Sequence, residues 1–335
     1  MYLISPHKKQ YKANLHCHST LSDGKKTPEE LKEMYKRHGY SILSITDHEA
    51  PCCHSELDDE NFLTITGYEA YIRNQPKYNS YQTEIHLNLF ARDPKNETLI
   101  CYQKEFCKYI GEERQQELKK IVSPRARICN VDYVNEYIQT AKENGYIVAY
   151  NHPYWSFDSN ENIAAYEGLF SMEMCNYSSY ISNGLEYNGA LYNELLRGGK
   201  RIACHSADDN HNGAEEGNSM CDSFGGFTMI MPEEFTYGSV INAMEKGEMY
   251  SSMGPLFNEV SMEGNRLHVE CSEVKHIYVH DGGKRHIGAH AGEDGLITSA
   301  DFELKDKATF VRVTIVDKDG NKADTRGYFR DELPF

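Results

Sequence analysis

The chain has 335 residues, of which 39% are hydrophobic and 26% are charged, a balance typical of a globular protein with a full-sized core. Its 51 acidic and 35 basic side chains give a net charge of −16, so we expect neither a nucleic-acid polymer nor an anionic membrane as a partner. No apolar run approaches the ~20 residues needed to span a bilayer.

The first part of the chain alternates strand-like apolar runs with one clear helical pattern. A helix is predicted at 27–40, where Thr27 is the N-cap, Pro28 follows it and Glu30 completes a capping box. The strand-like runs are KANLHCHS (12–19), SILSITDHE (41–49), FLTITGYEAY (62–71) and EIHLNLFAR (84–92).

Residues 94–144 are rich in lysine and glutamate, and we predict that they form a mainly helical insertion. Further strand-like runs follow this segment, and each leads into polar residues. These runs are GYIVAYNHPYW (145–155), FSMEMCN (170–176) and KRIACHSADDNH (200–211). Repeated strand–helix units predict an α/β fold with a parallel sheet or a barrel.

The pattern changes near residue 255. Short runs of alternating apolar and polar residues, separated by turn signals such as Asp319-Gly320, then continue to the C-terminus. We therefore predict an α/β domain over 1–255 and a small all-β module over 256–335.

The cysteines and the N-terminus indicate a cellular location. The ten cysteines are scattered and form no C-x-x-C pair, which favours reduced thiols over a disulfide framework or a zinc ribbon. The N-terminal segment lacks the basic and apolar regions of a secretion signal. These features predict a cytoplasmic protein.

Histidine and carboxylate residues stand at the ends of the strand-like runs. His16 and His18 share one face of a strand, because side chains two residues apart point the same way. The C-terminal ends of parallel strands form one face of an α/β fold, so we expect these residues to cluster there. They are His16, His18, Asp47, His48, Glu69, His86, His152, Asp209 and His211.

Such a cluster predicts bound metal. Imidazole and carboxylate groups without thiolate suit zinc, manganese or iron. The set holds more ligands than a single ion can take, so we expect two or three divalent ions with at least one bridging carboxylate.

The ordered motifs resemble those of the polymerase and histidinol phosphatase (PHP) family of metal-dependent phosphoesterases. The chain carries H-x-H followed by S-D-G, then T-D-H, a strand-end Glu, a later His, H-P and finally D-x-H, all within 13–212. The segment FGGFTMIMPEEFTYGSVINAMEKGEMYSSMGP (224–255) and the terminal FVRVTIVDKDGNKA (310–323) are similar to CehA/McbA-like members.

The resemblance implies a distorted (β/α)7 barrel with up to three metals at one face. Carried over by position, the ligands of the first metal are His16, His18, Glu69 and Asp209. Those of the second are Glu69, His86 and His152, and those of the third are Asp23, His48 and His211. Asp208 competes with Asp209 for the last motif, but the D-x-H spacing selects Asp209.

The implied function is that of a metal-dependent phosphoesterase acting on small nucleotide or sugar-phosphate mono- or diesters. Bound metals lower the pKa of water towards ~7, and the resulting hydroxide would attack phosphorus. Asp209 or His48 would move a proton. The alternatives are a metal-dependent carboxylic or carbamate ester hydrolase and a non-catalytic, metal-bound PHP module.

Four residues are weighed as contacts for a small phosphorylated substrate. Arg125 and Arg127 could reach a phosphate from the insertion, although solvated helix ends are the favoured explanation for both. Asn151 and Asn176 stand at strand ends, where asparagine is also common without a ligand. An arginine in the cavity, whether Arg125, Arg127 or Arg201, would favour a phosphoester, and an uncharged apolar cavity would favour the other ester.

Overall fold

A computed structural model describes residues 1–73, 82–123, 125–284, 287–293, 295–305 and 307–335. The described residues form seven α-helices, with two single 3₁₀ turns at Ser55–Leu57 and Arg330–Glu332. The helices are α1 (Pro28–Arg37), α2 (Glu112–Glu117), α3 (Val131–Glu143), α4 (Asn160–Ala165), α5 (Tyr177–Asn183), α6 (Gly189–Arg197) and α7 (Tyr237–Lys246).

Short β-strands make up much of the remaining structure. In the α/β part they are β1 (Tyr2–Ile4), β2 (Tyr11–Asn14), β3 (Ile42–Leu43), β4 (Leu63–Thr64), β5 (Gly67–Arg73), β6 (Glu84–Ala91), β7 (Leu99–Tyr102), β8 (Lys120–Val122), β9 (Tyr146–Tyr150), β10 (Ser171–Asn176), β11 (Ala203–Ala207), β12 (Phe227–Ile230) and β13 (Met249–Ser252). Towards the C-terminus they are β14 (Phe257–Glu263), β15 (Arg266–Val274), β16 (His276–His280), β17 (Ile287–His290), β18 (Ile297–Glu303), β19 (Phe310–Val316), β20 (Lys322–Thr325) and β21 (Tyr328–Phe329).

The first helix begins as predicted, after Thr27, and ends at Arg37, three residues before the end of the predicted span. The Thr27 hydroxyl accepts the Glu30 N–H at 3.3 Å, and the Glu30 carboxylate accepts the Thr27 N–H at 2.8 Å, so the capping box is complete. The chain just before the helix makes a turn against the H-x-H segment. A Cβ on Gly24 would lie 2.3 Å from the carbonyl oxygen of His18, so only glycine fits this turn.

The strands that position the polar cluster form two sheets. One has the order β11-β10-β9-β6-β5, in which β9, β10 and β11 are parallel and β6 runs the opposite way. The parallel strands β2, β3 and β4 end a second, larger sheet. Parallel bridges between Cys17 and Asn210, and between His48 and Glu69, join the two. The α/β class is confirmed.

The distorted (β/α)7 barrel is not confirmed, because the ladders of the described residues form separate sheets rather than one closed ring. The reversed direction of β6 has a useful consequence for the polar cluster. It brings the beginning of β6, rather than its end, to the edge where β5 ends, so His86 pairs across the ladder with Tyr71.

The segment 94–144 is less helical than predicted. It holds α2 and α3 together with the two-stranded parallel sheet β7-β8. Buried tyrosines fix the first strand of this pair in place. The Ile100 N–H donates to the Tyr68 hydroxyl at 2.9 Å, and the Tyr137 hydroxyl donates to the Ile100 carbonyl at 3.0 Å. These side chains satisfy backbone groups that a helix would satisfy internally.

The predicted division near residue 255 stays a prediction. The larger sheet runs across that position, because β13 pairs with β20 on one side and with β12 on the other. The N-terminal strand β1 also pairs with β14. One apolar core contains residues from α1 together with residues from β14, β15 and β19. Every helix in the described part of the chain is too short or too polar to cross a bilayer.

A buried ion pair in the C-terminal strands gives a test of this packing. Arg312 Nη1 donates to Asp324 Oδ1 at 2.7 Å, both side chains are 1% exposed, and Arg312 Nε donates to Asn193 of α6 at 2.8 Å. We expect Arg312→Met to lower the free energy of unfolding by about 3–5 kcal/mol in urea titrations, because Asp324 is left buried and unpaired.

The control for this prediction is Lys318→Met, in an exposed pair with Asp319, which should leave the unfolding midpoint unchanged. Adding Asp324→Leu to Arg312→Met should restore part of the loss, because it removes the unpaired charge. An Arg312→Met variant as stable as the wild type would contradict the role assigned to the buried ion pair.

Candidate metal centre

The H-x-H segment directly follows β2, and its side chains alternate as predicted. His16 and His18 are fully buried, and their Nε2 atoms lie 3.3 Å apart. Cys17, between them, points the other way and belongs to an apolar core with Leu31 and Tyr35 of α1. The two imidazoles therefore face the polar cluster, and the thiol has a packing role.

Four side chains form the first group of candidate ligands: His16, His18, Glu69 and Asp209. His16 Nε2 lies 3.1 Å from both Glu69 Oε1 and Asp209 Oδ1. His18 Nε2 lies 2.9 Å from Asp209 Oδ1 and 3.4 Å from Glu69 Oε2. These are the residues that the resemblance assigns to the first metal.

A second group lies on the other side of His18 and consists of His18, Asp23, His48 and His211. Asp23 Oδ1 lies 3.4 Å from His211 Nε2, and Asp23 Oδ2 lies 3.7 Å from His48 Nε2. The rings of His18 and His211 stack at 4.3 Å between centroids. The structure thus brings together the three residues assigned to the third metal.

The third group is formed by His48, Glu69 and His86. It contains two of the three residues that the resemblance assigns to the second metal. His86 Nδ1 lies 3.0 Å from Glu69 Oε1, and His48 Nδ1 lies 3.0 Å from Glu69 Oε2. His152, which the resemblance assigns here, is outside the compact group, but its Nε2 lies 3.3 Å from Glu69 Oε1. Glu69 is common to the first and third groups, as expected for a bridging carboxylate.

The donor set fits divalent metal ions. Ligand atoms at zinc-like bond lengths around one tetrahedral ion lie about 3.3 Å from one another, which is the range found here. His48 Nδ1 is buried and makes no hydrogen bond, although a Glu69 oxygen is 3.0 Å away. Several ligand atoms therefore converge on common points instead of forming well-aligned hydrogen bonds with one another.

The electrostatics of the protein alone also favour cations at this position. Burial opposes the charged form of His18, but the neighbouring carboxylates of Asp209 and Glu69 outweigh it and raise its pKa to about 10. Burial likewise opposes ionisation of Glu69, yet His86, His16 and His48 hold its pKa well below the usual range. Without metal, bound protons supply the positive charge that these carboxylates require.

Buried polar side chains orient the candidate ligands. Glu173 Oε1 lies 2.8 Å from His16 Nδ1, and the other Glu173 oxygen accepts the His152 N–H at 2.6 Å. An acidic partner behind a metal-binding histidine fixes its ring and raises its basicity. The sequence analysis missed Glu173; the signal was a carboxylate in the middle of the buried strand SMEMCN.

The two aspartates of the last motif have different roles in the structure. Asp209 faces His16 and His18. Asp208 instead accepts the backbone N–H groups of 224–226 at 2.7–3.0 Å and the Tyr35 hydroxyl at 2.8 Å. The geometry therefore favours Asp209 as the ligand and makes Asp208 the anchor of the following loop.

The backbone is strained where it presents several of these groups. Non-glycine residues with positive φ include Asp209 at 53°, His152 at 27° and Glu49, next to His48, at 51°. Such conformations cost about 1–3 kcal/mol each and cluster at functional sites.

Most of the candidate ligands line a cavity of about 370 Å³, whereas the fully buried His16 and His18 lie beneath it. Arg73 and Lys108 supply its positive charge, and both lie over the ring of Tyr71, at 5.4 and 6.0 Å from its centroid. Glu84 also lines the cavity, and one of its oxygens lies 3.9 Å from Arg73 Nη1. Tyr109 and Trp155 are 40% and 42% exposed and form part of the wall. The Tyr109 hydroxyl donates to Asp23 Oδ2 at 3.2 Å.

The proposed substrate residues lie elsewhere. Arg125 is exposed and pairs with Glu136, and Arg127 is fully buried in an ion pair with Glu49. Arg127 also donates to the carbonyls of Tyr71 and Cys101, at 2.6 and 3.2 Å. Neither arginine lines the cavity, because each is held by its own carboxylate partner. Arg201, the third arginine considered, lines a different cavity.

The two asparagines are buried beneath the candidate ligands. Asn151 Nδ2 donates to Glu69 Oε1 at 2.7 Å. Asn176 Nδ2 donates to Asp209 Oδ2 at 3.0 Å, and its Oδ1 caps α5 by accepting the Ser179 N–H. Neither lines the cavity, so both orient carboxylates rather than face a substrate.

A comparison with protein families bears on this arrangement. Residues 14–176 match the family model of the PHP domain. The match supports the predictions of metal binding and of a hydrolase acting on esters. It includes the H-x-H segment, Asp23, His48, Glu69, His86 and His152. Asp209 and His211 lie beyond it.

Solved structures with similar folds have low sequence identity, and no curated protein matches the chain. A two-domain protein from Bacteroides vulgatus containing a predicted PHP-like metal-dependent phosphoesterase is 14% identical, with a TM-score of 0.45 over 98% of this chain and 97% of that one. A provisional metal-dependent phosphoesterase from Bifidobacterium adolescentis is 17% identical, with a TM-score of 0.41 over 63% and 92%. An amidohydrolase from Chromobacterium violaceum, with bound sulfate and no metal, is 14% identical, with a TM-score of 0.38 over 62% and 93%.

The contrast between the two aspartates is testable. We expect Asp209→Asn to lose at least one metal per chain in elemental analysis while it unfolds at a temperature close to that of the metal-free wild type. Asp208→Asn should keep its metals when folded but unfold at a lower temperature, because buried N–H groups lose a charged acceptor. The opposite result for the metals would assign the ligand role to Asp208.

Metal affinity should increase with pH. The pKa values of His18 and His86 are raised to about 10 and about 9 by neighbouring carboxylates that outweigh burial, so both rings are protonated in the metal-free protein at neutral pH. Each must lose its proton to bind a metal. Titration calorimetry with Mn²⁺ or Zn²⁺ should show proton release and an affinity that rises from about pH 6 to about pH 9. A pH-independent affinity would contradict this.

Proposed function

We propose that the protein is a metal-dependent hydrolase of small phosphoesters. The observation that carries the proposal is the presence of Arg73 and Lys108 in the same cavity as the three groups of candidate ligands. In a chain of net charge −16, two cationic side chains beside a metal-ligand cluster favour an anionic substrate. The match to the PHP domain supports the hydrolase class.

The ligand assignment remains part of this proposal. His16, His18, Glu69 and Asp209 would hold one divalent ion, Glu69, His86 and His152 a second, and Asp23, His48 and His211 a third. Zinc, manganese and iron all suit this donor set. Such ions lower the pKa of water and neutralise the oxygens of a phosphoryl group.

The residues of the cavity would divide the remaining tasks. Arg73 and Lys108 would bind the non-bridging phosphate oxygens, for which charge-assisted hydrogen bonds are well suited. Trp155 and Tyr109 would contact the organic part of the substrate through their exposed rings. His48 and Asp209 both line the cavity, so each remains a candidate to hold the proton that the attacking water releases.

The overall reaction consumes one water. A bond forms between its oxygen and phosphorus, the bond from phosphorus to the alcohol oxygen breaks, and the alcohol leaves with a proton. The buried positions of Glu69 and Glu173 keep both carboxylates out of this proton exchange, since each is surrounded by imidazole and amide groups.

Four further predictions made from the sequence are also part of the proposal. They are the distorted (β/α)7 barrel, the boundary at 255, the CehA/McbA-like subgroup and a cytoplasmic location. Bridges between the two sheets at Cys17–Asn210 and His48–Glu69 support a barrel that is closed by single contacts rather than by full ladders.

The proposal is tested by elemental analysis of the purified protein, combined with a panel of phosphomonoesters, phosphodiesters, carboxylic esters and carbamates. We expect at least two bound metals and turnover of phosphoesters that a chelator abolishes. Turnover of carboxylic esters or carbamates alone would favour the alternative hydrolase. A metal-loaded protein that turns over no member of the panel would favour a non-catalytic module.

The cationic residues give a sharper test. Arg73→Met and Lys108→Met should each lower kcat/KM for the best phosphoester about 10- to 100-fold, because a hydrogen bond to a charged group contributes about 1.5–3 kcal/mol. Their metal content should not change. The matched control is Arg125→Met, which removes an arginine outside the cavity and should leave kcat/KM unchanged. Equal losses in all three variants would argue against phosphate recognition by this pair.

A further inference from the structure

A second cavity of about 430 Å³ lies at the opposite end of the parallel strands. It is lined by residues at or just before the beginnings of β9, β10 and β11, including Ile147, Phe170 and Ala203. The candidate metal ligands stand at or beyond the other ends of these strands. The two cavities share no lining residue. The C-terminal segment 326–332 closes one side of the second cavity.

The charged residues of this cavity are mainly basic. The cations are Arg92, Lys142, Arg201, Lys246 and Arg326, and the carboxylates are Glu245 and Glu332. An excess of basic over acidic side chains is unusual in a protein with a net charge of −16. Such a local reversal of charge attracts anions.

The ammonium groups of the two lysines have no direct partner in the described part of the chain, where no hydrogen bond or ion pair is found for the side chain of Lys142 or Lys246. Both lie in the last turns of helices, α3 and α7, where positive charge complements the helix dipole. The dipole explains why each helix carries a lysine there, but not why both lysines meet three arginines around one cavity.

The arginines are held in place by carboxylates and backbone carbonyls, since Arg92 pairs with Glu245 at 2.6 Å and Arg201 pairs with Asp331 at 2.7 Å. Arg92 Nη1 donates to the carbonyl of Tyr146 at 2.8 Å, and Arg326 Nη1 donates to that of Gly327 at 3.0 Å. One carboxylate, Glu332, is shared between Arg326 and Arg201, at 2.7 and 3.7 Å. The Nε of Arg326 is buried and has no hydrogen-bond partner. Each guanidinium group thus has a carboxylate partner, and the cations that remain in excess are the ammonium groups of Lys142 and Lys246.

Two glycines leave room for the basic side chains. A Cβ on Gly168 would lie 3.0 Å from Lys142 Nζ, and a Cβ on Gly247 would lie 2.8 Å from Arg326 Cδ. Both glycines also have positive φ, so other residues would be strained at these positions.

We propose that this cavity is a binding site for a small phosphate-bearing anion, separate from the catalytic site. Guanidinium and ammonium groups together suit phosphate oxygens, and the excess of cations calls for a ligand with more than one negative charge. The ligand bridges the beginnings of the parallel strands and the C-terminal segment 326–332, so its binding stabilises the folded protein.

The experiment uses the full-length chain freed of metal by a chelator, so that no anion is held by bound metal, and charge reversal at the second cavity then separates its binding from any binding beside Arg73 and Lys108. Titration calorimetry is carried out with inorganic phosphate, inorganic pyrophosphate and adenosine diphosphate, at low and at moderate salt. We expect saturable binding of one ion per chain, tighter for pyrophosphate than for phosphate, and weakened by salt. Binding of adenosine diphosphate but not pyrophosphate would identify an organic phosphate as the ligand.

Charge reversal locates the binding. Lys142→Glu combined with Lys246→Glu should weaken binding at least tenfold and abolish the rise in unfolding temperature that the anion causes. The control, Lys307→Glu combined with Lys318→Glu, makes the same change of net charge outside the cavity and should retain both effects. Wild-type protein that binds none of the three probes, or equal losses in both double variants, would overturn the proposal. The result is independent of catalysis, because no metal is present.

Discussion

The carboxylate of Glu69 is the contact on which the rest of the metal centre depends. Its two oxygens lie within 3.4 Å of nitrogen atoms from five histidines: His16, His18, His48, His86 and His152. These histidines come from or follow four separate strands, so a single side chain fixes the relative positions of those strands at one end of the fold. The backbone of Glu69 adds to this, because its N–H and carbonyl bond to the segment 46–49.

Such a concentration of buried charge is stable only if every group is partnered. Glu173, Asn151 and Asn176 satisfy the sides of the candidate ligands that face the protein. Elsewhere, buried tyrosines perform a similar service for the backbone, as Tyr68 and Tyr137 do on either side of Ile100. This is a physical reason for some of the 24 tyrosines, since rings such as those of Tyr68 and Tyr137 fill an apolar core while their hydroxyls satisfy backbone groups.

The sequence was informative about the candidate ligands because residue type and strand position act together. An imidazole at a strand end is visible in the pattern, and the sheet then brings such ends to one edge. His86 fits only because β6 is reversed, which the alternation of apolar residues cannot reveal. The sequence was less informative about Arg73, Lys108 and Glu173. Their roles depend on which carboxylate or ring lies nearby, and those neighbours are distant in the chain.

The segment 94–144 also shows that contacts between residues distant in the chain limit prediction from the sequence. Its lysine and glutamate content indicates exposed helix, but the short run Leu99–Tyr102 is drawn into the core by tyrosines from β5 and α3. From the sequence, Arg127 was weighed as a phosphate contact against a solvated helix end. In the structure its guanidinium is buried against Glu49. The position of Glu49 is in turn set by its own backbone conformation, which has positive φ.

The buried ion pair of Arg127 and Glu49 connects the insertion to the candidate metal centre. Glu49 is the neighbour of the candidate ligand His48, and Arg127 belongs to the insertion that also carries Lys108 and Tyr109. The pair therefore couples the wall of the cavity to its floor, although the two are separate in sequence. The position of Lys108 and Tyr109 over the metal centre therefore depends on this single anchor as well as on the strand ends beneath it.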